Sequence, residues 1–298
     1  DLILENKDGK IFVLEEEVSD VTSGKKQPHP LTLHVNTGDC IQVNLKNALT
    51  KDRVSFHPDL LAFDPQDSYG VNAGKNKADQ TVAPGQSRLY TFYAHPEYRE
   101  ATALIRDWGN PTSGPRNGLY GAIVIGPKGS TYRDPVTKAD VTLKNAWQAD
   151  VLIDTTLTEN HSRQSYRDVA LFFQDEDNLI ATAFMPYIRD AAGLMAVNYR
   201  AEPLKWRVKE QKCPESTVFN CQAAGEPGTP IIQAHVGDRV KIRVLIPVSE
   251  QNMIFSIDGH EFPLEPEMSG SNLLASLHLG ATETFEAEIV AGGDARQP

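Results

Sequence analysis

The sequence predicts an all-β protein made of two consecutive sandwiches. Two observations carry that reading. Short runs of alternating or continuous apolar residues, separated by Gly, Asn, Asp and Pro, fill the chain, and the runs of the first half return in order in the second. The first half reads as strands at 31–35, 40–45, 54–57, 87–93 and 119–125. The second reads as strands at 169–173, 230–234, 240–245, 253–257 and 283–289. Helical signals are confined to 96–101 and 270–275. Many short strands with turn residues between them indicate a sandwich or barrel.

The repeat fixes the organisation. Gly38-Asp39 and Gly237-Asp238 each open a strand, and 18 positions separate Gly38 from Phe56 as they separate Gly237 from Phe255. Phe63 then falls on Phe262, and the turn at Gly85 falls on Gly280. Each half therefore carries a Gly-Asp turn, an aromatic-centred strand and a Gly turn into a further strand. The expected domains are 1–145 and 146–298. About 40 residues follow Gly85 in the first half and include the final strand 118–125, whereas 18 follow Gly280. The second sandwich is expected to lack its closing strand, with the chain cut or continued in another polypeptide. The alternative is a naturally shorter sandwich.

Bulk properties exclude some functions. With 298 residues and 40% hydrophobic content, both domains can bury a core. A formal net charge of -11 without clustered Lys and Arg argues against nucleic acid as a partner. No apolar run approaches the roughly 18 residues of a membrane-spanning helix. Cys213 and Cys221 bracket a polar, Pro-containing stretch; a disulfide is expected there, with two free thiols as the alternative. Such a bridge suits a secreted or extracytoplasmic protein. Cys40 is expected to be a small buried residue. Asn160-His161-Ser162 is a formal glycosylation sequon.

Several segments resemble multicopper oxidases, whose domains are cupredoxins, and among them the large bacterial manganese-oxidising type. They are Thr37-Gly-Asp-Cys-Ile-Gln-Val-Asn-Leu-Lys-Asn47 with Val54-Ser-Phe-His57, Val82-Ala-Pro-Gly85 through Tyr93, and Asn117-Gly-Leu-Tyr-Gly-Ala-Ile-Val-Ile-Gly126. In the second half they are Arg167-Asp-Val-Ala-Leu-Phe-Phe173, Gly237-Asp-Arg-Val-Lys-Ile-Arg-Val244 and Asp258-Gly-His-Glu-Phe262. The resemblance implies tandem Greek-key cupredoxin-like sandwiches. It also implies copper held by His-x-His pairs, whose rings share one face of a strand.

At the positions the resemblance assigns to those pairs, other residues stand. The first pair falls on His57-Pro-Asp59, and the second on Arg106-Asp-Trp108, where a fixed cation would repel a metal. In the second half the ligand positions fall on Met253, Ser256 and Asp258; His260 survives at a place that is not usually a ligand. His57 is left as the best metal-ligand candidate, the alternative being a half-buried histidine bonded to Asp59 or a backbone carbonyl. His34 and His95 lie near strand ends, His235 reads as a turn residue, and His29, His161 and His278 have no partner at ligand spacing. Glu15-Glu16-Glu17 and Asp175-Glu176-Asp177 read as solvated carboxylates rather than a hard-cation site. No nucleophile elbow, phosphate loop or metalloprotease helix is present.

Three functions follow. The first is a pair of cupredoxin domains without copper, forming a structural or docking portion of a larger secreted oxidase or assembly. The second is part of an active copper-dependent oxidase, with dioxygen as acceptor, whose sites are completed by further sequence or a partner chain. The third is an extracellular adhesion or filament subunit. No cofactor is expected in these two domains, although copper is possible in a longer protein. The expected partners are the remainder of a longer chain, a partner subunit or further copies of the chain.

Overall fold

In the computed structural model, residues 6, 8–75, 78–98, 100–175, 196–202 and 204–293 are described. The architecture is all-β. In the first half, β1 (Leu31–Asn36), β2 (Cys40–Lys46), β3 (His57–Pro58), β4 (Ala62–Phe63), β5 (Ser87–Tyr93), β6 (Ala101–Arg106) and β7 (Tyr120–Gly126) form two sheets. One has the order β1-β7-β6-β3 and the other β2-β5-β4. The alternate residues Ile41, Tyr90 and Phe92 point inward from the second sheet. They meet Leu33, Val35, Phe56, Ile123 and Ile125 in one core.

Further along the chain come β8 (Thr131–Arg133), which precedes residue 146 but joins the second sheet, β9 (Gln148–Leu152), β10 (Tyr166–Asp175), β11 (Ala196–Val197), β12 (Arg239–Ser249) and β13 (Met253–Ser256). The second half ends with β14 (Phe262–Pro263), β15 (Leu273–Leu274), β16 (Ser276–Leu279) and β17 (Thr284–Val290). The main sheet runs β17-β12-β10-β9-β8, with β11 on β10, while β13-β16 and β14-β15 are separate pairs. Among the described residues, helix is limited to α1 (Val18–Thr22), α2 (Leu204–Lys209) and short 3-10 turns.

The two Gly-Asp turns have the same geometry. Gly38 and Gly237 have φ of 91° and 93°, a region in which glycine carries no steric penalty. Asp39 and Asp238 accept the amides of Asn36 and His235 at 2.7 and 2.8 Å. Gly38 N donates to Ala94 O as Gly237 N donates to Ala291 O, at 2.7 and 2.9 Å. The strands that follow pair alike, β2 with β5 and β12 with β17, both antiparallel.

Several sequence expectations need correction. Cys40 is exposed, because it occupies the outward face of β2 while Ile41 faces the core. The helical reading of 96–101 holds only for a 3-10 turn at Pro96–Tyr98, and Ala101 opens β6. Leu273–Leu274, inside the second expected helical stretch, pairs with β14 as a strand. Residues 230–234 form no strand. The Cys213–Cys221 disulfide is formed, with Cα atoms 5.9 Å apart. It closes a loop whose Val218 carbonyl accepts from the buried Arg207 guanidinium, as does the Gly225 carbonyl just beyond the bridge. Asp175, expected to be solvated, is buried at the end of β10, and Glu176 and Asp177 lie outside the described residues.

The two halves share a buried seam. Leu104, Tyr120 and Ala122 of β6 and β7 pack on Ala170, Phe172, Leu245 and Val248 of β10 and β12. The faces in contact are the outer face of one sheet of the first sandwich and one face of the large sheet.

Candidate functional site

The four positions of the first sandwich where the resemblance expects ligands come together. β3 pairs with β6 so that His57 lies directly opposite Arg106. Asp107, buried between the two strands, holds them there. Its Oδ1 accepts the amides of Ser55 and Gly109 at 2.7 and 2.8 Å, and Oδ2 accepts that of Asn110 at 3.2 Å. Burial raises the Asp107 carboxyl above its ordinary range, against the pull of those three amides. Trp108 N donates to Ser55 Oγ at 2.9 Å, completing the clamp. Sequence reading passed over Asp107, although an acid between two expected ligand positions is a signal for a positioning residue.

Within that frame the chemistry is ionic and aromatic. Arg106 Nη2 donates to both Asp59 oxygens, each at 3.1 Å, and its guanidinium lies 5.0 Å from the centre of the Trp108 ring. His57 Nδ1 donates to Tyr69 O at 2.7 Å, which turns Nε2 toward Asp59 Oδ1 at 3.7 Å. Phe63, Tyr69 and Trp108 meet the imidazole edge-on at 5.6, 5.3 and 6.3 Å between ring centres. Burial lowers the His57 pKa below its ordinary value, more than the Tyr69 carbonyl and Asp59 raise it.

These residues do not fit copper. One imidazole nitrogen is available, Asp59 is committed to Arg106, and the guanidinium puts a permanent positive charge where a second ligand would stand. In the second half, Met253 is paired with Leu279 and Ser256 with Ser276 on β13 and β16, and the hydroxyl and thioether offer copper no imidazole. His260 donates from Nδ1 to Asp258 O at 3.1 Å and accepts from Gly293 N on Nε2 at 3.2 Å, so both ring nitrogens are engaged. It lines a cavity of about 1270 Å³ together with Arg239, Met268 and Glu288. Among the described residues, no group of three or more His, Cys, Asp or Glu stands close enough to hold a metal ion.

A second cluster escaped the sequence reading altogether. In the seam between the halves, Arg243 of β12 is fully buried and donates to Asp168 of β10 at 2.7 Å and to Glu100 at 3.2 Å. It also pairs with Glu286 of β17. His34 of β1 meets Asp168 at 3.2 Å, and Lys241 meets Glu100 at 2.8 Å. Burial would raise both carboxyls, but Arg243 with His34 at Asp168, and Arg243 with Lys241 at Glu100, hold each below the ordinary range. Lys241 and Arg243 alternate with Val240, Ile242 and Val244, a period-two pattern that reads as a solvent face. Here that face is covered by the first sandwich. The other histidines are dispersed: His29 is buried against Pro30 O, while His95 and His235 stand at the surface.

No protein-family model matches the chain, and no curated protein matches it by sequence. Solved structures do. A multicopper oxidase crystal structure is 17% identical with a TM-score of 0.52, and the match covers 88% of this chain and 69% of that one. The multicopper oxidase mgLAC is also 17% identical, with a TM-score of 0.55 and coverage of 89% of this chain and 67% of that one. The likeness lies in the arrangement of the strands: the chain has the cupredoxin-type, all-β fold of multicopper oxidases.

Proposed function

We propose that 1–145 and 146–298 are two cupredoxin-like domains related by internal duplication, whose copper-ligand positions carry other chemistry. They serve as a structural or docking portion of a larger secreted oxidase or assembly. The observation that carries the reading is the Asp59–Arg106–Trp108 cluster. It occupies the crossing of β3 and β6 and offers a metal one imidazole beside a fixed cation. The matched Gly-Asp turns support the duplication. The Cys213–Cys221 bridge supports an oxidising compartment. The manganese-oxidising branch of the family is the finer assignment within this reading, and it rests on the sequence segments alone.

The test is copper content. Elemental analysis of the purified chain after copper loading and dialysis is expected to give well below one copper per chain. Stoichiometric copper with a blue absorption band overturns the reading. Any residual metal binding is assigned to His57, so His57→Ala is expected to remove it; unchanged residual binding refutes that assignment.

A further inference from the structure

Two N–H groups at the crossing of β3 and β6 are buried without an acceptor among the described residues, Nε of Arg106 and Nε1 of Trp108. Both can only donate, and no change of tautomer relieves either. A buried donor left unpaired is costly, above all on a cation. Two of them on neighbouring side chains therefore mark a place that suits an acceptor.

The acceptors nearby are committed elsewhere. Asp107 spends its carboxylate on the amides of Ser55, Gly109 and Asn110. The Tyr69 carbonyl takes Nδ1 of His57. Asp59 meets Arg106 through Nη2 alone, with both oxygens at 3.1 Å. The side edge of the guanidinium is thus only half used, although Nε and a terminal nitrogen together make the fork that holds an oxyanion. Trp108 stands beside that edge, its ring centre 5.0 Å from the guanidinium carbon. The open side is that of Asp59, whose side chain is 28% exposed against 17% for Arg106.

We propose that Arg106 and Trp108 bind a small oxyanion, a carboxylate or a tetrahedral ion such as phosphate, beside Asp59. Its oxygens accept from Arg106 Nε and Trp108 Nε1, while Nη2 stays with Asp59. Two donors on different side chains suit an ion with two or more acceptor oxygens. The inference deepens the metal-free reading of this cluster and rests on it, because the fixed cation that would repel a metal attracts an anion. Asp59 limits the affinity, since its negative charge lies against the same guanidinium.

The test is NMR of the isotope-labelled full chain after dialysis against EDTA, with sodium phosphate, acetate and chloride titrated in turn. The chain has three Trp, and the Trp108 indole signal is the one lost in Trp108→Phe. That signal and the Arg106 Nε–H signal are expected to shift and saturate in the low-millimolar range, with the other two indoles unmoved. Saturation by either oxyanion supports the site, and the tighter of the two identifies its class. Arg106→Lys keeps the charge but removes Nε, and is expected to weaken binding about tenfold. Asp59→Asn removes the competing charge and is expected to strengthen it about tenfold. No saturable shift, the same response to chloride, or unchanged affinity in either variant overturns the proposal. Should Arg106→Lys fail to fold, Asp59→Asn decides alone. Copper uptake in the earlier test, with the phosphate response of the EDTA-treated chain intact, refutes the metal-free reading and leaves the oxyanion site standing. No phosphate response refutes the oxyanion site and leaves the copper result untouched.

Discussion

Arg106 and His29 show how one side chain sets a measurable property. Arg106 neutralises Asp59 and lies over Trp108, and both partners are partly solvated, so the contribution is modest. Arg106→Ala is expected to cost about 1–2 kcal/mol in urea unfolding at unchanged slope, with Arg106→Lys losing part of that because it lacks the fork and the stack. An unchanged midpoint would mean the cluster is ornamental. His29 is 8% exposed, and burial pushes its pKa down to about 4. The unfolded chain takes up that proton near 6.5 and the folded chain only near 4. Its contribution is therefore complete above pH 6.5 and is lost as pH falls toward 4. Stability is expected to drop over that window by roughly 3 kcal/mol from this group, and His29→Gln should flatten the profile there.

At the scale of strands, the same sequence pattern gives different burial in the two halves. Phe56 and Phe255 hold the same place in the repeat, yet Phe56 is 1% exposed and Phe255 is only partly covered. Phe56→Ala is expected to cost about 3–5 kcal/mol, and Phe255→Ala no more than about half as much, read as urea midpoints. Equal losses would show that something else closes the second core in solution. The same contrast explains what was legible from sequence. β2, β5, β12 and β17 follow Gly turns and show clear alternation, so their existence and order could be read directly. β6 could not, because Thr102 through Ile105 are all buried, one face against the first core and the other against the second sandwich. A strand covered on both faces loses its period of two. Residues 230–234 err in the other direction: the apolar residues are present, but a strand also needs a ladder partner. At the candidate site, the positions of His57, Asp59, Arg106 and Trp108 were legible through the resemblance. Their ionic and aromatic contacts depend on the β3–β6 register, which no local pattern specifies.

Across the whole molecule, the seam between the sandwiches combines an apolar cluster with the ionic one centred on Arg243, so the two halves should unfold together. One cooperative melting transition is expected at pH 7. Asp168 and Glu100 are held below their ordinary values, so the unfolded chain binds their protons first as pH falls. Their contribution is complete above about pH 4–5, the ordinary carboxyl range, and disappears as pH drops through the lower folded values. Acid should therefore loosen the seam, seen as early loss of exchange protection at Phe172 and Leu245. The ordering of variants follows from how many partners each residue leaves behind. Asp168→Asn keeps Arg243 paired with Glu100 and Glu286, whereas Arg243→Met takes the guanidinium from three carboxylates at once and leaves Asp168 with His34, and Glu100 with Lys241 and Arg163. The second should cost about 3–5 kcal/mol and the first distinctly less. Their effects should not add, with a coupling of about 1–3 kcal/mol, because both act on the same buried charge. If Asp168→Asn proved the costlier, His34 would be the residue left uncompensated, and the seam would be held from β1 rather than from β12.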